Sequence, residues 1–176
     1  MLKRVTVPGL FPPPTYSHAS VVEAGTRLAF LAGSVPLDAE GRIVGVGDPV
    51  RQAQQVIANL GEQLRAVDSD FAHVLTTDVY VVSGEPGVLS AVWEVVEASG
   101  LSTGPHSSTL IGVACLGYPG QLVEITATAA VPEPEPKAGS EPEARSEEPA
   151  GRAGTPPDPG AFGTAPLTGS TLVTPS

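Results

Sequence analysis

The chain has 176 residues, enough for one ordinary domain and too few for two sizeable ones. Hydrophobic residues make up 41%, which supplies a core, and the formal net charge is −10. That balance excludes the clustered Lys and Arg of a nucleic-acid binder and the polybasic patch of a membrane anchor.

From the N-terminus, "MLKRVTVPGLFPPP" carries two basic residues with no long apolar stretch after them, so it is not read as a signal peptide. No apolar run approaches the ~20 residues of a membrane-spanning helix. The expected setting is cytoplasmic. "HASVVEA" predicts a first strand, and "RLAFLAGSVPLD" a second that ends near Pro36. "AEGR" predicts a turn. Asp48 is a good helix cap and Pro49 suits the first helical position. Ala53, Val56, Ile57, Leu60, Leu64 and Val67 then recur at helical spacing, predicting a helix over 49–67. "FAHVLTTDVYVVSG" predicts a strand with Val74, Thr76, Asp78 and Tyr80 on one side. The other side carries His73, Leu75, Thr77, Val79 and Val81. Pro86 opens a second helix whose Leu89, Val92, Trp93 and Val96 read as core. Two last strands follow, over 107–116 and 121–131. The order β-β-α-β-α-β-β predicts an α+β layer, with two helices on one face of a mixed sheet.

Composition changes after Val131. Residues 132–176 are rich in Pro, Glu, Gly, Ser and Ala, with no apolar period of two or 3.6. Such a segment buries too little surface to offset the entropy of ordering it. The expectation is a folded domain over 1–131 and a disordered tail over 132–176.

"PHSSTLIGVACLGYPGQLVEI", 105–125, holds one carboxylate, Glu124, and no Lys or Arg. On its own terms Glu124 reads as a functional acid, as a strand acid satisfied by backbone N–H groups, or as a solvent-facing one. His106, Ser107 and Ser108 precede the first apolar run. His106 reads as an exposed loop residue, or, when protonated, as a cation in the neighbourhood. Alternation along a strand favours Ser108 over Ser107 as the partner of His106. Cys115 is the single cysteine and reads as a small buried hydrophobe. Three scattered His residues lack metal-ligand spacing, so no metal is expected.

"YSHASVVEAGTRLAFLAGSVPLDAEGRIV", "QAQQVIANLGEQL", "TTDVYVV", "VWEVVEASG" and "TLIGVACL…LVEITATAAV" together resemble the Rid family, the YjgF-type reactive intermediate deaminases. The resemblance covers about 1–131. It implies a chorismate-mutase-like fold of the AroH type. It also implies a homotrimer whose sheets form a central barrel, with pockets between subunits. The implied chemistry is cofactor-free hydrolysis of an enamine or imine: water adds to the C=N carbon, and ammonia leaves a carbonyl product. Small molecules, not nucleic acid or membrane, are the implied ligands. The family's catalytic Glu falls on Glu124 and its N-terminal Tyr on Tyr16. Its Ser-Gly-Gln is Ala32-Gly33-Ser34 here, its second-helix Asn is Ser90, and the residue after "VA" is Cys115. The Arg that binds the substrate carboxylate in the family falls on Ser108, or on Ser107 if Pro105 is the aligned proline. Either way it is a serine, which makes no bidentate ion pair. The expected substrate-binding set is therefore Tyr16, Ser34, Ser90, His106, Ser107, Ser108 and Cys115, acting on a substrate other than a 2-imino acid. The alternative is a non-deaminating Rid-fold protein that binds a metabolite or partner in the same cleft, or assists a specialised biosynthetic step.

Overall fold

Asp48 and Pro49 begin the first helix, α1 (Pro49–Arg65), as their chemistry dictates. Asp48 Oδ1 accepts from the backbone N–H of Val50 at 3.0 Å and of Arg51 at 3.1 Å. Ala53, Val56, Leu60 and Leu64 form its buried stripe. The helix stops at Arg65 rather than Val67, because the chain turns through Asp68, whose φ of 57° lies in the left-handed region. The computed structural model describes residues 2–13, 15–103 and 106–133, so the expected tail lies outside the described residues except for Pro132 and Glu133.

Four strands make the main sheet: β3 (Arg27–Ser34), β4 (Val74–Val82), β5 (Ser107–Val113) and β6 (Val123–Val131). Their order is β3-β6-β4-β5. β6 is antiparallel to both of its neighbours, and β4 and β5 are parallel. The second helix, α2 (Pro86–Glu97), makes the crossover that this parallel pair requires. The last two strands of the sequence are therefore not a hairpin; β4 lies between them.

Two further strands, β1 (Leu2–Val5) and β2 (Ala19–Val22), pair antiparallel as a separate ribbon. β1 has no signature in the sequence, because Lys3 and Arg4 break any alternation. It is held from outside: Arg4 Nη2 donates to the Ala72 carbonyl at 2.6 Å, and Ser20 Oγ donates to the Leu75 carbonyl at 2.8 Å.

The helices cover one face of the sheet. Val79, Val81, Val123, Ile125, Ala127 and Ala129 meet Val56, Leu60, Leu64, Val92 and Val96 there. The opposite face carries Phe30, Thr76, Asp78, Tyr80, Glu124, Thr126 and Thr128, paired across strands as Phe30 with Thr128, Tyr80 with Glu124, and Asp78 with Thr126. Phe30 is 78% exposed. Strict alternation put Val74 on the side of Thr76. A register shift between them instead buries both Val74 and Leu75. Trp93, expected in the core, is only half-buried.

Candidate functional site

Glu124 sits on the open face of the sheet, held by one hydrogen bond at Oε2 and packed at Oε1. Oε2 accepts a hydrogen bond from Gln121 Nε2 at 2.9 Å. Gln121 is buried, and its side-chain Oε1 accepts from the Tyr118 backbone N–H at 3.1 Å, so the donor is fixed by the loop it ends. Oε1 lies over Gly33. A Cβ built on Gly33 would stand 1.9 Å from Oε1 and 2.7 Å from the carboxyl carbon. Gly33 occupies the register shift between Leu31 and Ser34, where β3 departs from β6. A glycine there leaves the space the carboxylate fills. Glu124 is half-buried, and its hydrogen bond comes from the Gln121 side chain rather than from a backbone N–H.

A second cluster lies on the helix-covered side. Tyr16, Trp93, Ser108 and Leu110 line a cavity of about 220 Å³. The Tyr16 and Trp93 rings meet edge to face, with centroids 5.9 Å apart. Tyr16 is brought here because the next residue, Ser17, donates its backbone N–H to the His106 carbonyl at 2.7 Å. Ser108 Oγ lies 2.8 Å from Thr77 Oγ1, which is 3.1 Å from His106 Nε2. His106 and Ser108 thus share a face through Thr77, as alternation along β5 requires. The expectation of an exposed His106 is overturned: it is 2% exposed, because the Ser17 bond draws the N-terminal segment across it. Burial, chiefly, pushes its pKa below the ordinary histidine value. The neighbouring Leu101 carbonyl opposes that shift, and the Arg4 guanidinium adds to it. The shift favours the neutral ring over the cationic one named as the alternative.

The other expected residues are spread out. Ser107 pairs with Thr76 and donates to the Leu75 carbonyl at 3.0 Å, on the face away from the cavity. Ser34 is buried and donates to the Val56 carbonyl of α1 at 2.9 Å. Ser90 is exposed on α2, one turn before Trp93. Cys115, expected among buried apolar neighbours, is exposed, because β5 ends at Val113 and the chain leaves the sheet before it. Glu124 and Ser108 lie on opposite faces of one sheet, so a single chain does not bring them together. The sequence gives little sign of Gln121 or Glu97. Glu97 accepts from Trp93 Nε1 at 2.7 Å and from Thr15 Oγ1 at 3.0 Å. Its i, i+4 spacing from Trp93 is the one available clue. A larger groove of about 450 Å³ between α1 and α2, lined by Val50, Ile57 and Val95, contains none of the expected residues.

Residues 11–131 match the model of the family described as Endoribonuclease L-PSP. YyfB of Yersinia pestis, a protein of unknown function in the conserved Rid family, is 34% identical, with a TM-score of 0.68 over 73% of this chain and 98% of its own. RidA from an Antarctic Psychrobacter shares the fold at a TM-score of 0.53 and 24% identity, over 66% of this chain and 89% of its own. Protein DfrA of Myxococcus xanthus is 39% identical over 66 residues, a match that spans 38% of this chain and half the length of DfrA. No described helix is long and apolar enough to cross a membrane. The matched domain, its mixed sheet and its two helices converge on one assignment: the chain belongs to the Rid (YjgF) family.

Proposed function

We propose that the chain is a cofactor-free hydrolase of a reactive imine or enamine, or a related small carbonyl compound, in which Glu124 orients the attacking water. The observation that carries this is the placement of the Glu124 carboxylate, with one oxygen on Gln121 and the other over Gly33. A carboxylate fixed in this way can accept a proton from water as its oxygen adds to the C=N carbon. The nitrogen takes up a proton, and the resulting aminocarbinol expels ammonia to leave the carbonyl.

The other half of the site is the Tyr16–Ser108 cavity, on the far side of the sheet in the same chain. A complete pocket then takes Glu124 from one copy and the cavity from the next, within a homotrimer. The exposed Phe30 and Leu28 on the open face favour such closure, since symmetric association covers that surface in every copy. A serine where the family's Arg is expected removes a charge-assisted contact to a substrate carboxylate. Truncating one partner of a desolvated charge pair costs about 2–5 kcal/mol, or roughly 30- to several-thousand-fold in affinity. The preferred substrate is therefore an imine without that carboxylate.

The test pairs two imine sources. A flavin-dependent amine oxidase supplies an imine without a carboxylate, and an amino-acid oxidase supplies the 2-imino acid. Release of ammonia and carbonyl product is followed with the parent, E124A and S108R. The expected result is acceleration with the amine-derived imine, lost in E124A, and a gain toward the 2-imino acid in S108R. No acceleration by any variant, with a small molecule retained from expression, would replace this reading with that of a binding protein.

A further inference from the structure

The position that would carry a guanidinium in the family carries a hydroxyl here, and among the described residues the cavity beside it is lined by Tyr16, Trp93, Ser108 and Leu110, none of them a cation. Two charges stand near: the Arg4 guanidinium, which acts on His106 behind Thr77 but is not among the lining residues, and the Glu97 carboxylate, which is bonded to a lining ring. Glu97 Oε1 accepts from the Trp93 indole N–H at 2.7 Å and from Thr15 Oγ1 at 3.0 Å. A carboxylate accepting from the indole N–H pushes electron density into the ring and deepens the negative potential over its face. The whole chain adds to this, with a net charge of −10 that favours the approach of cations over anions.

We infer that the Tyr16–Trp93–Ser108 cavity receives a positively charged nitrogen group, an ammonium or a protonated imine, carried on a small apolar or aromatic body. The two rings, set edge to face, supply the aromatic lining for the cation, Glu97 supplies the field, and Leu110 packs the apolar part. The inference extends the imine-hydrolase reading by inverting the charge of the substrate relative to a 2-imino acid. A protonated C=N carbon is also more electrophilic than a neutral one, so the same preference selects the form that water attacks most readily.

Trp93 is the one tryptophan of the chain, so its fluorescence reports on the cavity directly. The full chain is titrated with benzylammonium, benzyl alcohol and benzoate, which share a ring and differ in charge. Benzylammonium is expected to bind at least about tenfold more tightly than benzoate. E97Q is expected to weaken benzylammonium by about threefold or more and to leave benzyl alcohol unchanged. S108R is expected to reverse the order of the charged pair. Benzoate binding as tightly as benzylammonium to the parent chain overturns the inference without recourse to any variant, as does an absence of benzylammonium binding. No turnover is read here. A chain that selects benzylammonium yet hydrolyses no imine refutes the hydrolase and keeps the charge preference, whereas hydrolysis with benzoate preferred does the reverse.

Discussion

Replacing Gly33 with alanine tests whether the position of Glu124 matters, without touching Glu124 itself. The new Cβ would stand 1.9 Å from Oε1, and real Cβ contacts essentially never fall under 3.0 Å, so the carboxylate oxygen has to withdraw by more than about 1 Å. The φ of Gly33 is outside the left-handed region, so alanine imposes no backbone strain, and the clashing atoms are the end of a flexible side chain. The fold is therefore retained while the carboxylate leaves its place beside Gln121. Misplacing a reacting group by ~1 Å costs on the order of 100-fold in rate, about 2.7 kcal/mol of transition-state stabilisation. The assay is kcat/KM for ammonia release from the amine-derived imine, with thermal melting as the control for folding. G33A should lose about two orders of magnitude with a melting curve close to that of the parent. The double variant G33A/E124A should be no slower than E124A, because both changes remove the same function. Parent-like turnover in G33A, or losses that multiply in the double variant, would refute the reasoning.

The open face gives F30E: burying a phenyl ring is worth about 1.5–3 kcal/mol per copy, and a buried unpaired charge costs more, so light scattering should show a shift to monomer. An unchanged mass would mean that this face is not the contact. His106 gives a pH dependence. Its pKa is lowered on folding, so as pH falls below the unfolded value of about 6.5 the unfolded chain takes up more protons than the folded one. Stability is therefore held above that pH and lost as pH drops toward the folded pKa. Urea titrations should show this acid limb in the parent and a flatter one in H106N; equal slopes would contradict it. D48A removes the side-chain acceptor of the Val50 and Arg51 N–H groups and should cost about 1 kcal/mol, read as a lower urea midpoint with an unchanged slope.

The helices were legible because their signals are local: the Asp48 cap, Pro49, Pro86 and a 3.6-residue apolar period. β4 was legible from alternation, and β3, β5 and β6 from runs of strand-forming and apolar residues. β1 was not, since Lys3 and Arg4 are placed by the distant Ala72 and Leu75 carbonyls, through Arg4 and the paired Ser20. Alternation also fixed the relation between His106 and Ser108, which share Thr77. It could not show that Glu124 and Ser108 lie on opposite faces, because that depends on which strands become neighbours. Ser34 and Gly33 illustrate the same point. Adjacent in sequence, one turns under α1 and the other makes room for Glu124, because a register shift falls between them and Leu31. Burial of His106 and exposure of Cys115 followed from where the N-terminal segment crosses and where β5 stops, neither of which composition records.

The central claim is that catalysis needs Glu124 of one copy facing the Ser108 cavity of another. E124A and S108W, the latter filling the cavity, are each expected to be inactive as pure assemblies. Unfolded together in equal amounts and refolded, they should recover about one quarter of the parent activity per site, because each site draws its acid and its cavity independently from two chains. Recovery near that level is the predicted result. A mixture as inactive as its components, from a parent that is itself active, would place both groups in one chain and contradict the account.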